Sequence, residues 1–203
     1  MPLISPEPII LASGSTIRAT LLRNAGVVFD TVTPRIDEFA IRDALVADGS
    51  GPRDIADALA DLKAQRVAAR HPDALVIGCD QVLAQGTRLF AKAESVDEAR
   101  DHLKSLRNTQ HRLLSAVVIY QADRPLWRHV GEVRLTMRDF TDDWLEGYLV
   151  RNWDSVRDAV GCYKLEVEGV RLFSRIEGDY FTVLGLPLLD LLSYLALRGT
   201  IAS

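Results

Sequence analysis

Cysteine is scarce in this chain, which holds only Cys79 and Cys162 and no CxxC pair. Two thiols so far apart, without ligand-like spacing, argue against a disulfide-stapled scaffold and a zinc site. They read as buried thiols of a reducing compartment. Long apolar runs are also lacking, since none approaches the ~20 residues a membrane span needs. The stretch Met1-Pro2-Leu3-Ile4-Ser5-Pro6-Glu7-Pro8 has neither the basic start nor the apolar segment of a secretory signal, so a cytoplasmic location is expected. Positive charge is not in excess either. A net charge of −4 argues against a protein that coats a nucleic acid polymer through a broad basic surface. It leaves room for a small anionic ligand held by a few placed cations. No internal repeat and no low-complexity linker is found.

What is present has an ordinary globular balance, with 48% apolar and 26% charged residues over a length of 203. That length lies between one large domain and two small ones and suffices for a real core. Ile9-Ile10-Leu11-Ala12 reads as a strand, Ser13-Gly14-Ser15 as a loop, and the residues after it as a helix with Leu21, Leu22 and Ala25 on one face. Gly26 closes that helix. A second strand is expected over Val27 to Val32, with Asp37-Glu38 ending the connection after it. Gly51-Pro52 precedes a long helix carrying Ile55, Leu59, Leu62, Val67 and Ala68 at helical spacing.

Leu75 to Asp80 reads as a strand buried on both faces that ends on a carboxylate. Ser95-Val96-Asp97-Glu98 fits a capping box and opens a helix through Leu106. His111 to Tyr120 and Leu126 to Met137 predict an antiparallel hairpin. Thr141 to Arg151 and Leu186 to Leu197 predict two more helices, the second with Pro187 near its start and Gly199 after its end. The expected fold is α/β: a mixed sheet with flanking helices, in two lobes around a cleft.

Several residues carry chemistry. Ser13-Gly14-Ser15 falls between a strand and a helix, where free N–H groups and the helix dipole favour phosphate, and Arg18 lies one turn in. Either serine also serves as an ordinary helix cap, and the two roles are compatible. A carboxylate at a strand end, Asp80, suits a divalent metal or a general base towards water, or is a plain surface turn residue. Asp37-Glu38 adds acidic oxygens, which on a loop are often simply solvated. Lys63 lies on the long helix and Lys92 in a loop after the Gly86 turn. By position alone neither stands out. His71, His102, His111 and His129 show no ligand spacing.

Taken in order, a set of segments resembles the Maf family of nucleotide pyrophosphatases. These are Leu11-Ala12-Ser13-Gly14-Ser15-Thr16-Ile17-Arg18, Asp37-Glu38, Leu59-Ala60-Asp61-Leu62-Lys63-Ala64, Val76-Ile77-Gly78-Cys79-Asp80-Gln81-Val82, Lys92 and Glu98-Ala99-Arg100. They continue through Gly161-Cys162-Tyr163-Lys164-Leu165-Glu166, Ile176-Glu177-Gly178-Asp179-Tyr180 and Val183-Leu184-Gly185-Leu186-Pro187-Leu188. The likeness spans nearly the whole chain and implies one such domain over residues 1–203. It implies a fold similar to the inosine-triphosphate pyrophosphatases, and hydrolysis of a nucleoside triphosphate to the monophosphate and pyrophosphate with a divalent metal, Mg²⁺ or Mn²⁺. Carried over by position, Asp80 is the catalytic carboxylate, and Glu38 with Asp80 holds the metal. Ser13, Ser15, Arg18, Lys63 and Lys92 bind phosphates. A homodimer is also implied, as is, in the alternative, a nucleotide-binding role in arrest of septum formation.

Two departures stand out. The family usually has S-P-R-R where this chain has Ser15-Thr16-Ile17-Arg18, and G-K-P where it has Ala91-Lys92-Ala93. The base is approached through Ile17, Gln81 and Glu166. The pyrimidine branch of the family typically carries Arg, Thr and Gln there, and the branch acting on 7-methyl-GTP Trp, Gln and Glu. Two of the three positions match the second branch, so 7-methyl-GTP is the favoured substrate and UTP, dTTP or CTP the alternative.

Overall fold

A computed structural model describes residues 7–202; of the N-terminal stretch read above, residues 1–6 lie outside them. In chain order the elements are β1 (Ile9–Ala12), α1 (Thr16–Asn24), β2 (Asp30–Thr31), α2 (Glu38–Ala47), α3 (Pro52–Ala68), β3 (Leu75–Gln85) and β4 (Arg88–Phe90). There follow α4 (Val96–Leu106), β5 (Gln110–Gln121), β6 (Arg124–Met137), α5 (Asp142–Val156), a 3₁₀ turn (Glu168–Leu172), β7 (Phe173–Glu177), α6 (Tyr180–Val183) and α7 (Leu188–Arg198). The strands form one mixed sheet in the order β2-β1-β3-β5-β6-β7, with β4 paired to β3. β1 runs parallel to β2 and β3, and the other pairings are antiparallel. The expected mixed α/β sheet with flanking helices is what the chain forms.

Side chains alternate across the central strands, as the two-residue period requires. Val76, Val82 and Ala84 of β3 join Leu114, Ala116 and Val118 of β5 against Ile55, Leu59 and Val67 of α3. Leu75, Ile77 and Cys79 join Val117 and Ile119 on the opposite face, under Leu22 of α1 and Leu191 and Leu195 of α7. A third cluster gathers Leu83, Leu113 and Val133 with Leu103 of α4 and Tyr148 of α5. Each fully buried Leu or Ile is worth about 1.5–3 kcal/mol relative to exposure, so these three layers hold the sheet in place.

The α3 layer sits unusually close to the sheet. A Cβ on Gly78 would lie 2.3 Å from the Ala60 carbonyl oxygen and 2.6 Å from the Ala64 amide nitrogen. Only a hydrogen fits between strand and helix there, and the close approach carries the Lys63 side chain onto β3.

Several local expectations need correction. The second strand shrinks from Val27–Val32 to Asp30–Thr31, because only Ile10 and Leu11 of β1 pair with it. Ala25 is the exposed C-cap of α1, not part of its buried face. Asp37 does end the connection after β2, as the N-cap of a helix that was not expected, accepting the Ala40 N–H at 3.0 Å, and Glu38 is the first helical residue. No residue of α2 is fully buried, although Ile41 and Leu45, one helical turn apart, pack part-buried against the α3 layer.

Most consequential for the site, β3 does not stop at Asp80 but continues to Gln85, since β5 pairs with it from Leu75 to Ala84 and keeps its backbone satisfied. The helix from Thr141 runs on to Val156, and the last helix is Leu188–Arg198 with Pro187 as its N-cap. The Ser95 cap is present, accepting the Glu98 N–H at 3.1 Å. Its reciprocal partner is displaced by one residue, because Glu98 accepts from the N–H of Glu94 instead of Ser95.

Candidate active site

β1 accompanies β3 only as far as the pair Ala12↔Gly78, and β4 joins the same edge only at Leu83. Between those points the edge of β3 is open, and a cleft of about 990 Å³ lies against it. The cleft is lined by Ser13, Ser15, Ile17 and Arg18 from the head of α1, by Glu38 of α2, and by Lys63 of α3. Asp80 and Gln81 line it from β3, Lys92 from the segment after β4 and Glu166 from the segment after α5. Every residue to which the family resemblance gives a site role thus lines one space, whereas Asp37 does not.

The charged centre is a carboxylate pair sharing one ammonium. Lys63 Nζ lies 2.5 Å from Asp80 Oδ1 and 2.9 Å from Glu38 Oε2. Asp80 and Lys63 are buried, whereas the Glu38 side chain is half exposed. Burial pushes the Asp80 carboxyl above the usual carboxylate range, opposed by the positive charges of Lys63 and Arg18. Cys79, beside Asp80 on the opposite face, is not a competing nucleophile. Its thiol is fully buried and pushed up to about 11 by that burial. Both cysteines are buried and unpaired.

The head of α1 is prepared for an anion. Ser15 caps the helix, accepting the Arg18 N–H at 3.5 Å. Ser13 Oγ accepts from the Ser15 N–H at 3.2 Å and from Arg18 Nη1 at 3.3 Å, which leaves its own proton free to donate. Arg18 is more tied than its sequence position suggests. Its Nε donates to the Gly185 carbonyl at 2.7 Å and Nη1 to the Cys79 carbonyl at 3.1 Å, so the Nη2 N–H groups are the donors left for a ligand. Gly185 adopts φ +95°, and a Cβ there would lie 3.2 Å from Arg18 Nε. Glycine satisfies both the left-handed backbone and the close guanidinium.

Gln81 follows Asp80 on β3 and therefore points to the other face. Its Nε2 donates to Ser115 Oγ at 3.0 Å and faces the carbonyls of Thr182 at 3.2 Å and Val183 at 3.0 Å. Three acceptors around one amide nitrogen settle which end of the amide faces them. The oxygen is what Gln81 has left to offer. Ser115 lies directly across from Gln81 in the β3–β5 pairing and is fully buried, and Asp179 accepts from both the N–H and the hydroxyl of Thr182. The sequence assigns no role to Ser115, Thr182 or Asp179. A serine inside the apolar alternation of β5 and an Asp three residues before a Thr were their only signals. Lys92 and Glu166 line the cleft with exposed side chains.

Among the described residues no three His, Cys, Asp or Glu side chains gather into a ready metal cage, and no helix is long and apolar enough to cross a membrane. An α/β sheet protein with a phosphate-type helix head, cations and a buried carboxylate in one cleft belongs to the class of polyanion-handling enzymes. Comparison narrows the class: the sequence model described as Maf-like protein matches residues 8–197. The chain belongs to the Maf-like protein family. It is 58% identical to the nucleoside triphosphate pyrophosphatase of Ruegeria pomeroyi over 96% of this chain and 98% of that one. It is 50% identical to the nucleoside triphosphate pyrophosphatase of Caulobacter vibrioides over 98% and 99%. To the 7-methyl-GTP pyrophosphatase of Rhizobium meliloti it is 46% identical over 95% and 97%.

Proposed function

We propose that this protein hydrolyses a nucleoside triphosphate to the monophosphate and pyrophosphate, as the names of its relatives state for them. The observation that carries the reading is the Glu38–Lys63–Asp80 arrangement opposite the serine-rich head of α1. Water attacks a phosphorus of the α–β anhydride, its oxygen joins that phosphorus, and the bridging oxygen leaves with the departing phosphate group. Asp80 takes the proton from the attacking water. Ser13, Ser15 and the free Nη2 donors of Arg18 hold phosphate oxygens, and Lys63 and Lys92 neutralise charge that builds on them. Phosphoryl transfer asks chiefly for such positioning and charge neutralisation.

A divalent cation, Mg²⁺ or Mn²⁺, belongs to this reading, with Glu38 and Asp80 as its protein ligands. The donor set fits: hard cations of this kind are usually held by one or two carboxylates together with substrate phosphates. The carboxylates already converge on one positive charge, the Lys63 ammonium. When bound, the ion supplies charge neutralisation at phosphate oxygens and a more acidic water.

Within this reading 7-methyl-GTP is the favoured substrate. Gln81 presents an amide oxygen and Glu166 a carboxylate, both acceptors, which suits the adjacent N–H donors of guanine, and the positive charge of a 7-methylated ring adds attraction to Glu166. A two-lobed division around the cleft, a cytoplasmic location and a homodimer complete the proposal. The unpaired thiols accord with the location, and the homodimer rests on the family resemblance alone. Measured pyrophosphate release from 7-methyl-GTP, GTP, UTP, dTTP and CTP with Mg²⁺ or Mn²⁺ tests it. Release from none of them would overturn the enzyme, and a pyrimidine preference of about tenfold, or ~1.4 kcal/mol, would overturn the base.

A further inference from the structure

A second cavity, of about 470 Å³, opens beside the cleft between α1 and α7. It adjoins the cleft, with Ile17, Thr20, Glu166 and Leu184 lining both. None of Ser13, Arg18, Lys63, Asp80 or Lys92 reaches it, so it lies at the end of the cleft away from the phosphate-type groups. α6 and α7 line it with Phe181, Leu188, Leu189 and Leu192, and among the described residues the single charged one lining it is Glu166, which also lines the cleft. The volume falls within the roughly 300–1,000 Å³ of clefts that enclose a small molecule, and a mainly apolar lining with a few polar groups, here Thr20, Asn24, Glu166 and Tyr180, is the usual make-up of such sites.

We infer that this annex receives an apolar substituent carried on the nucleobase, of about the size of an aryl ring, so that the enzyme accepts triphosphates with bulky base modifications. The inference rests on the nucleotide reading given above. With the triphosphate held at the cationic end, the base is directed towards Ile17 and Glu166. A group projecting from the base past them enters the annex. Glu166 there meets the polar or positively charged ring, and the leucines and Phe181 meet the substituent. A single methyl group would fill only a small part of this space.

The experiment compares kcat/KM of the metal-supplied, full-length protein for 7-benzyl-GTP against 7-methyl-GTP and for N4-benzyl-CTP against CTP. It uses the wild type and two annex-filling variants, Leu189→Trp and Leu192→Trp. Leu189 is more than half exposed, so a tryptophan there does not burden the core. In the base series that the enzyme hydrolyses, the benzyl compound is expected to match or exceed its parent. The fillings are expected to lower the benzyl compound by about tenfold or more while sparing the parent, the scale on which apolar pockets discriminate. A penalty of about tenfold or more on the benzyl group in every hydrolysed series of the wild type overturns the inference. So does a variant that lowers parent and benzyl compound alike, or neither. If Leu189→Trp changes the sedimentation of the protein and not the ratio, the annex belongs to a second copy of the chain and the inference is wrong. Absence of hydrolysis of any triphosphate removes the nucleotide reading and the inference with it, an outcome distinct from the others.

Discussion

Asp80 and Gln81 are consecutive on β3 and face opposite sides of the sheet, Asp80 meeting Lys63 at 2.5 Å and Gln81 meeting Ser115 at 3.0 Å. Both nevertheless line one cleft, because the edge of β3 is left open between the end of β1 and the start of β4. One strand thereby supplies a charged group to the α3 side and an uncharged acceptor to the α6–α7 side. In the proposed function, this alternation assigns phosphate to one end of the cleft and base to the other.

Replacing Asp80 by Asn keeps the volume and removes the base. Lys63 retains Glu38 at 2.9 Å, so the fold is expected to survive with a thermal midpoint near that of the wild type. Pyrophosphate release should fall by about 10²–10⁴-fold, the contribution typical of a positioned proton acceptor. Retention of more than about a tenth of kcat, measured by pyrophosphate release, would remove Asp80 from that role.

Arg18 and Lys92 should differ although both are cations of the cleft. Arg18 ties Gly185, Cys79 and Ser13 together, and Lys cannot reproduce that fork, so Arg18→Lys should be nearly as damaging as Arg18→Ala. A loss of ~1.5–3 kcal/mol, or about 10–150-fold in kcat/KM, is expected for either. Lys92→Ala should raise KM with less effect on kcat, since the exposed side chain supplies charge without organising its neighbours. Steady-state kinetics on the three variants decide between these patterns.

Gly78→Ala should damage both fold and activity at a distance from any ligand. The new methyl would meet backbone atoms of α3 at 2.3 and 2.6 Å, which cannot swing aside as a side chain would. Overpacking of this kind costs about 1–3 kcal/mol. The helix must retreat, taking Lys63 away from Asp80. A lowered midpoint in thermal denaturation together with reduced kcat is the expected pair of results, and an unchanged midpoint would show that the contact is not tight.

Glu166→Gln should narrow the choice of base without stopping hydrolysis. A neutral amide exchanges one acceptor for a donor and gives up the attraction to a cationic ring. The ratio of kcat/KM for 7-methyl-GTP over GTP should drop towards unity, while turnover of other triphosphates stays close to wild type. A ratio that does not move would separate Glu166 from base recognition.

His111 supplies a pH dependence of stability. It is 1% exposed, its Nε2 meets the Tyr163 hydroxyl at 2.8 Å, and burial lowers its pKa to about 4. Because the folded value lies below the ordinary one of ~6.5, the neutral ring is the form the fold prefers. Its stabilisation is complete above pH ~6.5 and is lost as the pH falls through that window to about 4. The loss is on the order of 3 kcal/mol. Urea midpoints between pH 7 and 4 should therefore fall more steeply for the wild type than for His111→Gln, and parallel curves would contradict this.

The features that depend on neighbours within one helical turn or one strand were legible in the sequence. Ser15 and Ser95 as caps, Pro52 at the start of α3, Gly26 after α1, the β5–β6 hairpin and the serine-rich head of α1 are all local, and the residues that form them carry the cause in their own backbone preferences. Elements without a strong local signal were not legible. α6 spans four residues and β7 has mostly exposed positions, so neither carries enough periodicity to be distinguished from loop, and α2, with Ile41 and Leu45 one turn apart, buries no side chain fully.

Position along the sequence marked Asp80 and Glu38, and the family resemblance added Gln81, without saying how they meet. That Asp80 lies within β3 instead of at its end was decided by pairing with β5, and its meeting with Lys63 by the space over Gly78. The same holds for the oxygen that Gln81 presents, which depends on Ser115, Thr182 and Val183 brought in from distant parts of the chain. Such contacts arise only once sheet register and helix packing are set. Local preference cannot encode them, because the interacting groups become neighbours only when the core closes.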